Sequence, residues 1–341
     1  MTIEDQAAAH RATLERLGAD GGPLTVESET ATTQNPEWFN VRRGEPRQNR
    51  RRLHNEILAR FIESHPEVRR DKKAIVLAGP PGVGKTTAQD ALIQATRTQK
   101  EHWLPINADD FKDELLQQAL QDGSYDNFLV PGEVRALEAS GEKFYPRELA
   151  SLVHTESSIL AKKARSEAVE SGMNVIIDGT LGNEIQARIL MDRLQAAGYD
   201  VLLADVETTQ SITEARSMGR WERGYLDAEN GTAAGLDAEL GGRWVPQSFP
   251  ASLFNEPSDM ESVCAANAAA IAADYGCVSE YQVYRVADKD ASPKLETTQG
   301  RAKAGGPLVD SDTLAAARAA STTPAAPHSS RLQTGKEDFG R

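Results

Sequence analysis

The feature that most constrains this sequence is a glycine-rich stretch at residues 79–86, which reads GPPGVGKT. It matches G-x-x-x-x-G-K-[ST] at every fixed position, and the apolar run KAIVLA at 73–78 comes directly before it. A helical pattern follows, so the sequence predicts a buried strand, a loop and a helix, the order that a phosphate-binding P-loop requires. We therefore expect the chain to bind a nucleoside triphosphate.

The same pattern assigns roles to individual residues. Lys85 is expected to reach the β- and γ-phosphates, and the Thr86 hydroxyl is expected to bind Mg²⁺. The nucleotide, ATP or GTP, would be held by the loop and the first turn of the next helix: Gly79, Pro80, Pro81, Gly82, Val83, Gly84, Lys85, Thr86 and Thr87.

Apolar runs alternate with helical patterns along the middle of the chain. Strands are predicted at 73–78, 104–107, 174–178, 200–206 and 281–287, and helices at 85–98, 148–170, 183–197 and 259–274. This alternation is typical of an α/β fold, here a P-loop NTPase or kinase-like parallel sheet with helices on both faces.

Composition divides the chain into three parts. Residues 1–50 are polar and are predicted to form a partly flexible extension, and residues 51–287 are predicted to form the P-loop kinase domain. Residues 288–341 are rich in Ala, Ser, Thr, Pro and Gly, so a disordered low-complexity tail is predicted there.

Charge and cysteine content exclude several classes of protein. The net charge of −13 argues against a nucleic-acid binder, which would normally present a basic face. The two cysteines, Cys264 and Cys277, have no metal-ligand spacing to a histidine and indicate a reducing compartment. We find no apolar run of membrane-spanning length and no signal-peptide pattern in residues 1–20. A cytoplasmic protein is expected.

Acidic side chains follow two of the predicted strands. Asp178 ends the run NVIID, where a carboxylate can hold Mg²⁺, although Asp-Gly-Thr also suits a helix N-cap. Asp109 and Asp110 follow the strand at 104–107, where a carboxylate could accept the proton of an attacking hydroxyl. Capping of the next helix explains this pair equally well.

Basic side chains allow two interpretations. Arg216, Arg220 and Arg223 share one helix face, so Arg220 could face the γ-phosphate, or the face could be solvated and paired with acids. The cluster from Arg42 to Arg52 could bind an acidic partner such as an antitoxin or RNA, or could be a solubilising linker. His154, on a predicted helix, is a candidate pocket residue.

Four further segments sharpen the functional expectation: INADDFK at 106–112, HTESS at 154–158, IIDGT at 176–180 and GRWERG at 219–224. Together with the P-loop, they resemble the zeta toxin family over roughly residues 70–250. The resemblance implies the toxin component of a toxin–antitoxin system. Such a protein would be a cytoplasmic kinase that phosphorylates the 3′-hydroxyl of UDP-N-acetylglucosamine and so blocks cell-wall synthesis.

The resemblance also implies roles for matching residues. Asp109 would be the catalytic base, Glu156 and Thr180 would bind the acceptor sugar, and Arg220 and Arg243 would face the phosphates. Two departures stand out: Asp178 replaces the family's usual glutamate, and Leu181-Gly182-Asn183 replaces a small residue and an arginine. A kinase of another hydroxyl (an antibiotic, a nucleoside or a polynucleotide end) and a P-loop nucleotide-binding regulator therefore remain alternatives.

Overall fold

The computed structural model describes residues 2–322 of the 341-residue chain. Its strands are β1 Phe39–Asn40, β2 Glu45–Pro46, β3 Lys73–Ala78, β4 Leu104–Ile106, β5 Val175–Asp178, β6 Asp200–Glu207, β7 Val278–Arg285, β8 Lys294–Arg301 and β9 Leu308–Asp310. Its α-helices are α1 Ile3–Leu17, α2 Gln48–Glu63, α3 Lys85–Ala95, α4 Ala108–Asp122, α5 Gly132–Ala139, α6 His154–Glu170, α7 Glu184–Ala196, α8 Gln210–Glu229, α9 Leu236–Leu240, α10 Ser248–Ala251, α11 Val263–Asp274 and α12 Ser311–Thr322.

A seven-stranded sheet forms the centre of the molecule, in the order β4-β5-β3-β6-β7-β8-β9. The strands from β4 to β7 run parallel, and β8 and β9 continue the sheet antiparallel to β7 and to each other. The predicted α/β fold with a mainly parallel sheet is confirmed. In the pairing register, Leu77 lies beside Asp178 and Ala78 beside Asp205, so the carboxyl ends of three strands meet at the P-loop.

The central strand β3 is apolar throughout because both of its faces are covered. Ala74, Val76 and Ala78 pack into a core shared with α4, α6 and α7, whereas Ile75 and Leu77 pack against α3 on the other face. Alternate side chains of one strand thus hold helices on opposite faces of the sheet.

The N-terminal extension differs from the partly flexible segment that its polarity predicts. Leu14 and Leu17 of α1 are fully buried, and His10 lies between Glu142 and Glu148, with its ring nitrogens 2.7 and 3.0 Å from their carboxylate oxygens. Arg50, from the presumed solubilising cluster, is also buried in α2. A few apolar and paired side chains suffice to dock this segment, although its overall composition is polar.

The C-terminal segment also departs from its prediction, because residues 294–322 are not a disordered tail. Strand β8 pairs with β7 through backbone hydrogen bonds, which depend little on side-chain hydrophobicity. The buried Arg301 side chain donates to the carbonyl oxygens of Val278 and Ala272 at 2.9 and 2.6 Å. The rest of the predicted tail, residues 323–341, lies outside the described residues.

One predicted helix is divided. The segment expected to be helical over 148–170 begins as a 3-10 helix at Pro146–Val153, and α6 starts only at His154. Glu148 accepts bonds there from the Tyr145 N–H and from Trp221 Nε1, which fixes the tighter turn against α8. Among residues 2–322, none of the helices is both long and apolar enough to cross a membrane.

Candidate active site at the P-loop

The loop between β3 and α3 has the backbone geometry that its glycines predict. Gly79, Gly82 and Gly84 have φ angles of 118°, 78° and 87°, which favour glycine. A Cβ at position 79 would lie 2.1 Å from the carbonyl oxygen of Val206, so no other residue fits there. The loop therefore curls tightly around the N-terminus of α3 and leaves a cavity of about 410 Å³ beside it.

Six of the predicted nucleotide and metal residues line this cavity together: Pro81, Gly82, Gly84, Lys85, Thr86 and Asp178. Lys85 Nζ donates to the carbonyl oxygens of Gly79 and Pro80 and lies 3.7 Å from Asp178 Oδ1. Thr86, in the first turn of α3, lines the same space. Asn183 is the N-cap of α7, so helix capping does not explain Asp178.

Asp109 lies across the cavity, in the first turn of α4. The N-cap of α4 is Asn107, whose Oδ1 accepts the Asp109 N–H, so neither aspartate of the pair is the N-cap residue. Asp109 Oδ1 is 2.9 Å from Lys112 Nζ, and Asp109 Oδ2 is 2.6 Å from Arg243 Nη1. Burial alone would raise the pKa of Asp109, but these two cations outweigh it and hold the pKa well below its ordinary value.

Arg243 is positioned by a second carboxylate. Its Nη2 donates to Asp113 Oδ2 at 2.8 Å, and Arg147 binds both oxygens of Asp113 at 3.0 and 2.8 Å. Arg147 also donates to Asp237 and to the carbonyl oxygen of Gly241. This network holds the Arg243 guanidinium in a fixed orientation over the cavity.

The arginines of α8 are divided between two tasks. Arg220 lines the P-loop cavity, as its predicted phosphate role requires. Arg216 instead donates to the carbonyl oxygen of Val83 at 3.1 Å and to that of Lys289 at 3.0 Å, which ties α8 to the loop. Ser217 lies between these two arginines in the sequence of α8. Its buried hydroxyl has no partner among the described residues, and a Cβ on Gly82 would lie 3.1 Å from the hydroxyl oxygen.

The predicted acceptor-binding residues are not all brought together. Thr180 and His154 both line the cavity, and Thr180 Oγ1 accepts the Gly182 N–H at 3.1 Å. Burial of the imidazole and the positive charge of Lys112 lower the pKa of His154, so its imidazole is neutral at pH 7.

Glu156 lies outside the cavity, contrary to its predicted acceptor contact. It is fully buried; Arg50 Nε and Nη2 donate to its two oxygens at 2.5 and 2.8 Å, and His54 Nε2 lies 2.7 Å from Oε1. Glu156 lies in the first turn of α6, and its bonds to Arg50 and His54 show that it faces α2 rather than the P-loop. Its role in this structure is to hold α2 against α6.

A second cavity, of about 480 Å³, adjoins the first. Pro81, Asp109, Lys112 and His154 line both spaces, so one carboxylate faces the P-loop and the second cavity at once. Both volumes lie in the range of small-molecule sites.

Sequence reasoning missed several residues of this site. Lys112 lies three residues after Asp109 on a helix, a spacing that places the two side chains together and could have revealed the pair. Asp113 and Arg147 act through a contact between distant segments, for which the sequence carries no local signal.

The cavity suits a magnesium–nucleotide complex. The Thr86 hydroxyl and the Asp178 carboxylate offer two oxygen ligands, and Mg²⁺ usually takes its remaining ligands from phosphates and water. The glycine loop leaves room for phosphate oxygens beside Lys85 and the N-terminus of α3. Within residues 2–322, no cluster of three or more His, Cys, Asp or Glu residues could hold a metal ion alone.

A P-loop at the carboxyl end of a central parallel strand, covered by helices on both faces, defines the class of P-loop kinase-like proteins. Within that class, the chain belongs to the zeta toxin family, whose sequence model matches residues 58–275. This family consists of kinase-like phosphotransferases that act as toxins of toxin–antitoxin systems. No curated protein sequence matches the chain.

Solved structures with similar folds are distant in sequence. A structure of the PezAT toxin–antitoxin system of Streptococcus pneumoniae is 16% identical, covers 70% of this chain and 78% of its own, and has a TM-score of 0.44. The complex of AvrRxo1-ORF1 and AvrRxo1-ORF2 with ATP is also 16% identical. The match covers 81% of this chain and 73% of that one, with a TM-score of 0.49.

Proposed function

We propose that this protein transfers the γ-phosphoryl group of ATP, bound with Mg²⁺, to the 3′-hydroxyl of UDP-N-acetylglucosamine and thereby inhibits cell-wall synthesis. The observation that carries the kinase proposal is the position of Asp109. Its carboxylate lines the cavity that also contains Lys85 and Thr86, and it lines the adjoining cavity as well. A pure nucleotide-binding regulator needs no such carboxylate.

The P-loop half of the site would hold the nucleotide. Loop N–H groups and Lys85 would bind the β- and γ-phosphates, and Arg220 would stabilise charge that develops during transfer. Thr86 and Asp178 would hold Mg²⁺, which draws charge from the phosphate oxygens. Arg243, held by Asp113, would add a second planar cation at the transferred group.

Asp109 would bind and deprotonate the acceptor hydroxyl. With both oxygens paired to cations, the carboxylate is ionised at neutral pH but is a weak base. If Arg243 Nη1 exchanges Asp109 for the transferred phosphate while Nη2 stays bonded to Asp113, Oδ2 becomes free to accept the hydroxyl proton. Loss of one neighbouring cation also raises the pKa of Asp109 toward the value that a base needs.

Asp109→Asn tests the proposal because it preserves side-chain size and removes the basic oxygen. Transfer to UDP-N-acetylglucosamine should fall by about 10² to 10⁴, the usual range for a lost general base. The affinity for ATP with Mg²⁺ should change little, because Lys85, Thr86 and Asp178 remain. Single-turnover transfer and nucleotide titration measure the two effects separately.

Asp110→Asn is the matched control, since Asp110 is the exposed neighbour on the same helix. Its turnover should stay near that of the wild type. Loss of transfer in the control, with normal transfer in Asp109→Asn, would assign the base to Asp110. Normal transfer in both variants would contradict the proposed mechanism.

A second candidate function is phosphorylation of another small-molecule hydroxyl. The burial of Glu156 favours it, because the glutamate expected to bind the sugar is bonded to Arg50 and His54 instead. A thermal-shift screen of UDP-N-acetylglucosamine, nucleosides and antibiotics, with and without ATP and Mg²⁺, separates the two candidates. We also propose an antitoxin protein as a partner, on the basis of family membership.

A further inference from the structure

Arg216 of α8 holds two peptide groups of the P-loop from the side opposite the P-loop cavity. Its Nη1 donates to the carbonyl oxygens of Gly82 and Val83 at 3.4 and 3.1 Å. Gly82 lines the cavity that contains Lys85, whereas Arg216 lines a separate cavity of about 310 Å³ that Gly82 also borders. The loop therefore lies between the guanidinium and the space for the phosphates.

The planarity of the peptide bond converts these contacts into a direction for the loop N–H groups. In a trans peptide, the carbonyl of one residue and the N–H of the next point in opposite directions, and the described residues contain no cis peptide bond. With its carbonyls turned to Arg216, the loop directs the N–H groups of Val83 and Gly84 away from the guanidinium. Neither N–H donates to a backbone carbonyl of residues 2–322. Both are thus available to phosphate oxygens.

The other donors of Arg216 bind a loop that follows the family-matched region. Nε donates to the Lys289 carbonyl oxygen at 3.0 Å, and Nη2 donates to those of Asp288, at 3.4 Å, and Ala291. This loop comes after residue 275, where the family match ends. One guanidinium thus joins two carbonyls of the P-loop to three of a distant segment, which a planar fork of donors can do and a single ammonium cannot.

The loop after β7 is itself held in place. Asp288 Oδ1 accepts the N–H groups of Asp290 and Ala291, both at 2.9 Å. Val286, which leads into the loop, is buried and packs in the same apolar cluster as Val83 of the P-loop. The loop therefore offers a stable second anchor for the guanidinium.

We propose that Arg216 is a positioning residue for nucleotide binding, and that the loop at 288–291, outside the family match, belongs to the nucleotide-binding machinery. Arg216 acts without touching the nucleotide. It fixes two P-loop carbonyls so that the opposite N–H groups face the phosphate positions before ATP arrives, and its charge polarises the same peptide groups. The inference rests on the ATP binding of the proposed function and is independent of the acceptor.

Arg216→Lys separates bridging from charge, because lysine keeps the charge but has a single nitrogen. The dissociation constant for ATP with Mg²⁺, measured by titration without an acceptor, should rise about tenfold to a hundredfold, the effect of about one lost charge-assisted bond. Arg188→Lys is the matched control: Arg188 also bonds through two nitrogens, to Glu184 and Asp274, but lies on α7 outside the P-loop cavity. Its ATP affinity should equal that of the wild type, and melting temperatures show whether both variants are folded.

Added guanidinium gives a readout that a merely structural loss would not show. In Arg216→Ala, millimolar guanidinium chloride should occupy the vacated space and restore part of the ATP affinity with a saturable dependence on its concentration. Methylammonium chloride at the same ionic strength carries the same charge without the fork of donors, so it should not restore the affinity. Equal restoration by the two salts would overturn the bridging role.

Asp288→Ala tests the loop after β7 without altering the P-loop or Arg216. Losing this carboxylate removes two bonds that fix the loop, so the dissociation constant for ATP should rise about threefold to tenfold. Asp122→Ala is the control, because Asp122 Oδ1 accepts the Ser124 N–H in a similar way at the end of α4 away from Asp109. This pair of variants decides the inference if the Arg216 variants fail to fold.

The outcomes separate this inference from the proposed function. Loss of ATP affinity in Arg216→Lys and Asp288→Ala supports the inference even if the wild type transfers nothing to UDP-N-acetylglucosamine. Wild-type ATP affinity in either variant overturns it even if UDP-N-acetylglucosamine is phosphorylated. A wild-type protein that binds no ATP would overturn both.

Discussion

At the scale of single residues, the site depends on cations held by oxygen atoms close to where phosphates would lie. Lys85 Nζ donates to two loop carbonyls, and Arg243 is shared between Asp109 and Asp113. Each cation is therefore positioned before a substrate arrives. Such preorganisation is the main way in which kinases of this class stabilise transferred charge.

Lys85→Ala should reduce phosphoryl transfer by about 10² to 10³ while the fold is retained, because the loop backbone remains and only the cation is lost. Lys100→Ala is the control. Lys100 lies on the surface and pairs with Asp90 of α3, the helix that begins at Lys85. Transfer rates and melting temperatures of both variants give the comparison. A Lys85→Ala enzyme within tenfold of the wild type would refute the P-loop assignment.

At the scale of elements, α2 and α6 are joined by a buried ion pair. Burial would raise the pKa of Glu156, but the bonds from His54 and Arg50 outweigh this effect and lower the pKa to about 2, from an ordinary value of 4.5. A carboxyl group with a lowered folded-state pKa contributes stability that is present above about pH 4.5. That contribution is lost as the pH falls toward 2.

Glu156→Gln should lower the free energy of unfolding at pH 7 by about 3–5 kcal/mol, because the buried Arg50 loses its counter-charge and His54 loses its carboxylate partner. The variant should also lose part of the acid dependence between pH 4.5 and 2. Glu170→Gln, at an exposed position of α6, is the control. Urea unfolding across this pH range is the measurement. Normal stability of Glu156→Gln together with a raised KM for the acceptor would instead indicate that Glu156 binds the acceptor.

The elements themselves were largely predictable from the sequence. The strands at 73–78, 104–107, 174–178 and 200–206 carry continuous apolar runs, and each appears within a residue or two of its predicted bounds. Strand β8 carries no such run: half of its residues are exposed, and its pairing with β7 rests on backbone bonds. Hydrophobic pattern could not reveal it.

At the scale of the whole molecule, described residues on both sides of the family-matched centre complete the fold. The N-terminal segment walls the second cavity, and the C-terminal strands extend the sheet. The P-loop and Asp109 were predictable because each lies in a short local motif. The contribution of residues 18–27 to the lining of the second cavity was not, because these residues reach it only through packing between distant segments.

Deletion of residues 290–341 should lower the melting temperature by about 4–8 °C. Arg301 is buried and donates to several carbonyl oxygens, and losing its bonds costs about 2 kcal/mol. In the full chain, Arg301→Ala should reproduce much of this loss, whereas Lys303→Ala, at an exposed position, should not. A change below about 1 °C on deletion would mean that β8 and β9 add nothing to stability.

The position of Trp244 at the second cavity provides an intrinsic fluorescence signal for binding in that cavity. Trp103 and Trp221 are almost fully enclosed by the core and Trp38 packs under Arg50 of α2, whereas Trp244 borders the second cavity. Its ring lies 5.3 Å from that of Trp221, close enough for excitation to pass between them. A molecule that enters the cavity and contacts the Trp244 ring would shift the tryptophan fluorescence, so its binding can be followed without a label.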